Sequence, residues 1–454
     1  MHKMIVSFIF AATLSACGGG GSGSGSASVT SQGITNAATL LSQTNWISQN
    51  AQVVSSTDPD DEDFTDLQAF GDAIGDVRIV ALGEQSHGGG TDTLMTARLI
   101  KYLHQEKGFD VVMYEAGIFG AFRMQQVIDG GQKLDDIAAY ELADTFAVSG
   151  EARKILQYID TTRGTSTPLM FTGMDSHQSG KYARHDLLPM LETYLNGLHP
   201  DIVLQSGWNT YKAVVQQLLI NNVTPPSAAD QVVATNIQDG LEQTLCATQA
   251  DNFAFPDSAG IWCRVVKSIR NQAIRLWSAS GDGYRDEDMA LNAEWLLEHS
   301  FKNHKVIVLS HIVHSQYFGA DTPPGQLLGG GTMGSFLKTQ YGSQYYVADF
   351  TASNGSFNIN VSPLQTSTME ANERNSLEDI LDKMNKPYLF IDARKNPPPP
   401  ALFDLVSRVI NFTFTPETIL GKYIDGKFYI HTITPFTVSR TCHFESDNIT
   451  LTCP

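Results

Sequence analysis

The chain has 454 residues, of which 42% are hydrophobic, so it is long and apolar enough to bury a sizeable core. Its formal net charge is −18, with a pI near 5, and the sequence contains no basic run. These features argue against disorder, against nucleic acid as a partner and against electrostatic adhesion to anionic lipid.

The N-terminal segment predicts export and a lipid anchor. A short apolar run ends in Leu14-Ser15-Ala16-Cys17, with small residues before the cleavage point, which is typical of a secretory signal and too short to span a bilayer. The ending resembles the lipobox of bacterial lipoproteins, so Cys17 would carry the lipid; the alternative is a cleaved signal with an incidental Cys. We expect a signal peptide over 1–17, a Gly/Ser-rich tether over 18–34 and a protein anchored to the bacterial cell envelope, at the outer membrane.

The other four cysteines fall into two local pairs, 17 and 11 residues apart. Disulfides persist in oxidising compartments, and the CxxC spacing of many metal sites does not occur here. We therefore predict that Cys246 and Cys263 join within a helical hairpin. Cys442 and Cys453 would close the C-terminal tail, 441–454.

Apolar runs separated by helical patterns predict the fold. The runs that we interpret as strands are 77–82, 110–114, 169–172, 305–309, 345–350, 388–392 and 427–432. Helical patterns lie between them, and about 181–300 is nearly all helical. Strands that alternate with helices favour parallel βαβ units. We expect an α/β fold over 35–440, with a central, largely parallel sheet flanked by helices and a large helical insertion.

Ionisable residues follow four of these strands. They are Glu84 and His87, Glu115, Asp175 with His177, and His311 with His314. Parallel strands bring their carboxyl ends to one edge of a sheet, and buried carboxylates and imidazoles need partners. The pattern predicts a catalytic or metal-binding constellation at that edge.

The loop after the first strand contains three glycines, Gly88 to Gly90, directly after His87. Glycine lets a substrate approach the backbone closely, and the loop would add backbone donors for an oxyanion. Thr91 or Asp92 would cap the helix that follows. The alternative is a solvent-exposed loop whose polar residues only cap that helix.

Several motifs, in order, resemble the erythromycin esterase family. They are Gly-Glu-x-x-His-Gly at 83–88, Glu-Ala-Gly at 115–117, Gly-Met-Asp at 173–175, RDxxMAxN at 285–292, HxxH at 311–314, MGxxL at 333–337 and Tyr-Gly at 341–342. The resemblance extends over about 35–434. It implies hydrolysis of a small carboxylic ester or lactone by an activated water, without a Ser nucleophile and without a cofactor.

The resemblance also implies roles for individual residues. His87 would be the general base, Glu84, Glu115, His311 and His314 further active-site residues, and Asp175, Arg285 and Gly88 substrate-binding residues. The chemistry agrees, because a neutral imidazole with its ordinary pKa of about 6.5 can take a proton from water. A carboxylate, from Glu84 or Glu115, would orient the imidazole, and His311 would polarise the carbonyl or protonate the leaving alkoxide.

One departure concerns the substrate. Macrolide-cleaving members resemble one another in an Arg nine residues after the motif His, where this chain has Thr96. The nearest guanidinium, Arg98, falls on another helix face. Two alternatives to the metal-free esterase also remain open. The same Glu and His side chains would suit a divalent metal that activates the water, and a surface lipoprotein could instead bind haem without chemistry.

Overall fold

The computed structural model describes residues 37–142, 144–247, 253–278, 282–322, 325, 330–361, 364–415, 420–448 and 450–453. The predicted signal peptide and tether lie outside these ranges and stay predictions. No helix within the described ranges has the length and apolarity needed to cross a lipid bilayer.

Each of the seven predicted strands is present, and the described residues form six more strands that were not predicted. In chain order, the strands are β1 (Ala51–Val54), β2 (Ile79–Glu84), β3 (Val111–Gly117), β4 (Met170–Asp175), β5 (Val306–His311), β6 (Tyr345–Val361), β7 (Leu364–Thr368), β8 (Tyr388–Asp392), β9 (Ser407–Val409), β10 (Thr413–Thr415), β11 (Gly426–Ile433), β12 (His443–Phe444) and β13 (Leu451–Thr452). The central sheet has the order β1-β8-β11-β6-β2-β5-β3-β4, with β7 paired to β6. The strands from β11 to β4 run parallel to their neighbours, whereas β8 and β1 are antiparallel, so the prediction of a largely parallel sheet is confirmed.

Helices cover both faces of this sheet. They are α1 (Ala37–Asn50), α2 (Gln68–Ile74), α3 (Thr91–Lys107), α4 (Ile118–Asp129), α5 (Leu134–Ile137), α6 (Asp144–Val148), α7 (Gly150–Thr162), α8 (Lys181–Leu198), α9 (Pro200–Val203), α10 (Trp208–Leu219), α11 (Ala228–Leu245), α12 (Ala259–Trp277), α13 (Asp282–Glu298), α14 (Ile312–Ser315), α15 (Met333–Tyr341) and α16 (Leu377–Asp382). The run from α8 to α13 lies between β4 and β5, where the helical stretch was predicted.

The central strands β2, β3 and β5 are largely apolar because both of their faces are buried. Ile79 and Ala81 of β2 belong to the core that includes α8 and α10 to α13, whereas Val80 and Leu82 belong to the core beneath α2, α3 and α7. Successive strand residues point to opposite faces, so each strand contributes to both cores.

Several predicted strands extend further than expected: β3 runs to Gly117, β4 to Asp175 and β5 to His311. The first strand starts at Ile79 rather than Val77 and continues to Glu84, because β2 pairs with β5 over that whole range. As a result Glu84 ends the strand instead of lying in the loop. Similarly, β6 extends well beyond 350 because its second half forms a hairpin with β7.

Both predicted disulfides are confirmed. Cys246 at the end of α11 is bonded to Cys263 in α12, and Cys442 is bonded to Cys453 across the β12–β13 hairpin.

Candidate active site

The predicted edge of the sheet exists, and the register of the strands brings its residues together. Glu84, the last residue of β2, lies beside His311, the last residue of β5. Asp175, the last residue of β4, lies beside the end of β3, the strand that carries Glu115. The four strand ends therefore form one continuous polar edge.

Glu84 and His87 form a hydrogen-bonded ion pair. The Nδ1 atom of His87 lies 2.6 Å from Oε1 of Glu84. Gly83 leaves room for the side chain of Ile312, because a Cβ at position 83 would lie 2.5 Å from one of its atoms. The carboxylate holds a proton on Nδ1, which leaves Nε2 as the atom that can exchange a proton.

The pKa of His87 is higher than the sequence led us to expect. Burial lowers this pKa, but the negative charge and hydrogen bond of Glu84, with a further contribution from Glu115, raise it more, to about 9. The ring is 42% exposed, so water weakens its attraction to Glu84. The two groups are only 2.6 Å apart, however, so the net effect of Glu84 is still to raise the pKa of His87. His87 is therefore mainly an imidazolium at neutral pH, and the expectation of an ordinary pKa near 6.5 is wrong.

Arg285 of α13 is the centre of a second cluster. Its guanidinium donates from Nε and Nη2 to the two carboxylate oxygens of Asp175, at 3.1 and 2.6 Å, and from Nη2 to Oε1 of Glu115 at 2.7 Å. Both carboxylates are almost fully buried. Burial alone raises their pKa values; for Asp175 the charge of Arg285 outweighs it, and for Glu115 the charges of His314 and Arg285 do so together. Both carboxylates therefore stay ionised at neutral pH.

Glu115 does not orient His87. Its second oxygen, Oε2, accepts the backbone N–H of His311 at 2.9 Å, while Oε1 is bonded to Arg285. Of the two carboxylates that the sequence offered for orienting the imidazole, the geometry selects Glu84.

His311 is a neutral imidazole with both ring nitrogens engaged. The N–H of Val313 donates to Nδ1 at 3.2 Å, so the proton is on Nε2, which donates to the carbonyl of Gln85 at 3.0 Å. Burial and the positive charge of His87 together lower the pKa of His311 to about 3. The predicted role of His311 as an acid or carbonyl polariser does not fit this geometry.

His314 completes the cluster around Arg285. Its Nδ1 lies 2.9 Å from Oδ1 of Asp286, and its Nε2 lies 3.2 Å from Nη1 of Arg285 and 3.5 Å from Oε1 of Glu115. Burial lowers the pKa of His314, but Asp286 and Glu115 raise it more. We did not predict Asp286 as a site residue, although its place directly after Arg285 in the RDxxMAxN motif was a signal.

A buried network fixes α13 against the sheet. Asn292 donates from Nδ2 to the carbonyl of Met174 at 3.0 Å and accepts from Nε of Arg264 at 2.7 Å. Arg264 also bonds Asp288 at 2.7 Å. This network explains why the motif that begins with Arg285 ends with Asn292: the amide holds the helix on β4 so that the guanidinium reaches Asp175.

Two of the three glycines in the loop do not have the predicted role. The N–H of Gly88 donates to Oγ of Ser86 at 3.3 Å and that of Gly90 to the carbonyl of Thr434 at 2.7 Å, so neither is a free oxyanion donor. A Cβ at Gly88 would lie 1.6 Å from the carbonyl oxygen of Asn358, which makes this glycine a packing requirement. The assignment of Gly88 to substrate binding is therefore not supported.

The predicted cap of α3 is also wrong. Gly90 is the N-cap, and no side chain caps the helix. The hydroxyl of Thr91 bonds to that of Thr434 instead, at 2.8 Å, and the Asp92 carboxylate accepts the N–H of Thr93 at 3.0 Å.

Three further positions that the sequence singled out lie outside the cluster around Arg285. Arg98 is buried in an ion pair with Asp66 on another face of α3, as its spacing from His87 indicated. Thr96 lines a small cavity with Glu84 and His87. His177 bonds through Nε2 to Asn221 at 2.7 Å, and it supports Asp175 through its backbone N–H.

The side chains do not form an evident metal centre. Within the described residues, no group of three or more His, Cys, Asp or Glu side chains is arranged to hold an ion. The guanidinium of Arg285 occupies the position between Glu115 and Asp175 that a cation would take.

Comparisons with known proteins agree with this architecture. The family model described as "Erythromycin esterase" matches residues 104–416. A protein of Bacillus subtilis (strain 168) named "Putative hydrolase YbfO" is 22% identical over 439 residues, which cover 87% of this chain and 92% of that protein.

Two solved structures share the fold. A succinoglycan biosynthesis protein has a TM-score of 0.71 at 17% identity, covering 89% of this chain and 100% of its own. A mutant of the erythromycin esterase EreC in its open conformation has a TM-score of 0.64 at 17% identity, covering 86% and 99%.

Replacing Arg285 tests the central cluster. The Arg285→Met variant removes the counter-charge of buried Asp175 and leaves buried Glu115 with His314 alone, so we expect its free energy of unfolding to fall by about 3–5 kcal/mol. Denaturant unfolding at neutral pH measures this. The control is Lys383→Met, which removes an exposed ion pair with Asp379 and should cost less than about 1 kcal/mol.

A compensated variant separates the charge effect from packing. Adding Glu115→Gln and Asp175→Asn to Arg285→Met removes the uncompensated charges and should recover much of the lost stability. If Arg285→Met alone unfolds like the parent, the ion pairs do not hold the site together.

Proposed function

The chain belongs to the erythromycin esterase family, and from that premise we propose that it cleaves a carboxylic ester or lactone with a water activated by His87. The family match and the name of the Bacillus subtilis relative support a hydrolase. The observation that carries the finer proposal is the 2.6 Å contact between Glu84 and His87, on a half-exposed ring beside the buried cluster of Arg285.

The proposed reaction is a direct attack of water on the carbonyl carbon. Neutral His87 takes a proton from the water through Nε2 as the carbon–oxygen bond forms, and Glu84 stabilises the imidazolium that results. The imidazolium then returns the proton to the leaving alkoxide as the ester bond breaks. The products are an acid and an alcohol, or a hydroxy acid from a lactone.

The raised pKa of His87 shapes this reaction. Only a minor fraction of the molecules has the neutral ring at pH 7, but that ring is a stronger base than an ordinary imidazole. No comparable base stands beside it among the described side chains of the cluster, because His311 has both nitrogens engaged and Glu115 is held by Arg285 and a backbone N–H.

Arg285 supports the proposal in a second way. A guanidinium carries five N–H donors, and among the described residues the contacts with Asp175, Glu115 and His314 leave a hydrogen of Nη1 without an acceptor. We propose that this hydrogen stabilises the oxyanion that develops on the carbonyl oxygen. Since the guanidinium fills the space between the carboxylates, the geometry favours the metal-free reaction over a metal-activated water.

The first test removes the base. We expect His87→Ala to lower turnover of the best substrate in a panel of esters and lactones by at least about 10²-fold, because proton transfer is lost from the transition state. Parent activity should survive prolonged chelation. The control is His185→Ala, which changes an exposed histidine paired with Asp186. Full activity in His87→Ala would place the site elsewhere, and loss on chelation with recovery on adding zinc would assign the water to a metal.

The pH–rate profile tests the Glu84–His87 pair. The neutral fraction of His87 rises about tenfold per pH unit below its pKa, so kcat/KM of the parent should rise with pH and level off near pH 9. Glu84→Gln removes the charge that raises this pKa, so the midpoint should move to lower pH while the plateau falls. The measurement is kcat/KM against pH, corrected for spontaneous hydrolysis. A parent midpoint near 6.5 that Glu84→Gln leaves unchanged would contradict the assignment.

We also propose that the protein is exported and lipid-anchored through Cys17. The signal-like N-terminus and the two disulfides support an oxidising compartment. Cys17→Ser should block lipidation, so the variant should accumulate as an unprocessed precursor or appear unanchored on fractionation. A variant that is processed and membrane-bound like the parent would contradict the anchor.

A further inference from the structure

A small cavity lies against the Glu84–His87 pair. Its volume is about 30 Å³, and it lies between the ends of β2, β3 and β5 and the helices α3, α6 and α7. Apolar side chains form most of its wall, among them Leu82, Phe146 and Ile155. Glu84 and the half-exposed His87 form its polar end.

The cavity is distinct from the space around Arg285. Side chains alternate along a strand, so Tyr114, which lines the cavity, and Glu115, which bonds to Arg285, project from opposite faces of β3. Leu82 and Glu84, two residues apart on β2, share the cavity face. The proposed base therefore borders two spaces, the charged cluster on one side and this cavity on the other.

Tyr114 gives the cavity a specific chemistry. The residue is 1% exposed, and its hydroxyl has no hydrogen-bond partner among the residues that the structure describes. A buried hydroxyl without a partner is costly, so a group that enters the cavity with a polar atom would gain a hydrogen bond that the protein itself does not supply. The rest of the wall is mostly apolar, so it favours apolar groups of a ligand.

The volume limits what can enter. A single water occupies about 10–15 Å³ of a cavity, so this small cavity admits a group of only about two or three heavy atoms. Phe146 and Ile155 close it on the helix side. Thr96, on α3, is short enough to leave the space open, whereas a long basic side chain at this position would fill it.

We propose that this cavity is a subsite for a short substituent of the scissile ester, mostly apolar and carrying one hydroxyl that pairs with Tyr114. The proposal rests on the function proposed above and names its substrate class: esters in which a branch of about two or three heavy atoms flanks the carbonyl, as in a 2-hydroxyacetyl group. The branch belongs either to the acyl part or to the alcohol part of the ester, and two series of esters distinguish these cases.

The experiment uses the full chain and two series of esters. One series varies the acyl group on a fixed alcohol (acetyl, 2-hydroxyacetyl, propionyl, hexanoyl), and the other varies the alcohol on a fixed acetyl group (ethyl, 2-hydroxyethyl, propyl, hexyl). We expect kcat/KM to fall by at least about 10-fold from the short to the six-carbon member in one series only, and that series identifies the part that enters the cavity.

Two variants connect the selectivity to the cavity. Ile155→Ala enlarges it, so the discrimination against the six-carbon ester should shrink several-fold. Its matched control is Ile159→Ala, on the same helix one turn later, where the side chain is buried but does not line the cavity. Tyr114→Phe should lower the ratio of kcat/KM for the hydroxylated ester to kcat/KM for its methyl isostere by about 10-fold.

The outcomes separate the two proposals. Equal hydrolysis at every length in both series, or an Ile155→Ala variant with the parent's length preference, would overturn the subsite while the esterase function stands. Tyr114→Phe with an unchanged preference would show that the hydroxyl meets only water, which overturns the polar part of the subsite. Hydrolysis of no ester in either series would overturn the proposed function, and the subsite with it.

Discussion

The ion pairs of Arg285 with Asp175 and Glu115 are the interaction on which the rest of the site depends. One guanidinium joins α13 to the ends of β3 and β4, and it keeps two buried carboxylates ionised. Glu115 in turn holds the backbone of His311, and the ring of His311 holds the carbonyl of Gln85, the residue between Glu84 and the rest of the loop. These hydrogen bonds connect Arg285 of α13 to the loop that carries His87.

Charge is divided unequally between two neighbouring imidazoles. The rings of His87 and His311 lie 5.1 Å apart, and their pKa values move in opposite directions. Glu84 stabilises the positive charge on His87, whereas His311 is buried and repelled by that charge, so only one ring is protonated at neutral pH. Titratable neighbours with separated pKa values are typical of acid–base sites, and here the separation leaves His87 as the ring that exchanges protons.

Much of the fold and of the edge followed from the sequence. The apolar runs predicted the parallel strands because strands buried on both faces are apolar throughout, and the ionisable residues after them predicted which side chains meet. The pairing of those side chains did not follow. Whether Glu84 or Glu115 bonds His87 depends on strand register, and the pKa of His87 depends on burial and on charges that only the folded chain brings near it. Gly88 looked like a substrate contact. Its role is instead to leave room for Asn358, which lies in a hairpin more than 260 residues later in the chain. The unpaired hydroxyl of Tyr114 likewise depends on tertiary packing.

The most direct test of this account is the titration of His87 itself. Histidine side chains labelled with ¹⁵N in the full chain can be followed by NMR against pH, with the His87→Asn variant assigning the resonance. The account predicts that His87 titrates near pH 9 in the parent and at a lower pH in Glu84→Gln. A resonance that titrates at or below about 6.5, the ordinary value for histidine, would contradict the claim that Glu84 sets the basicity of His87, the proposed general base.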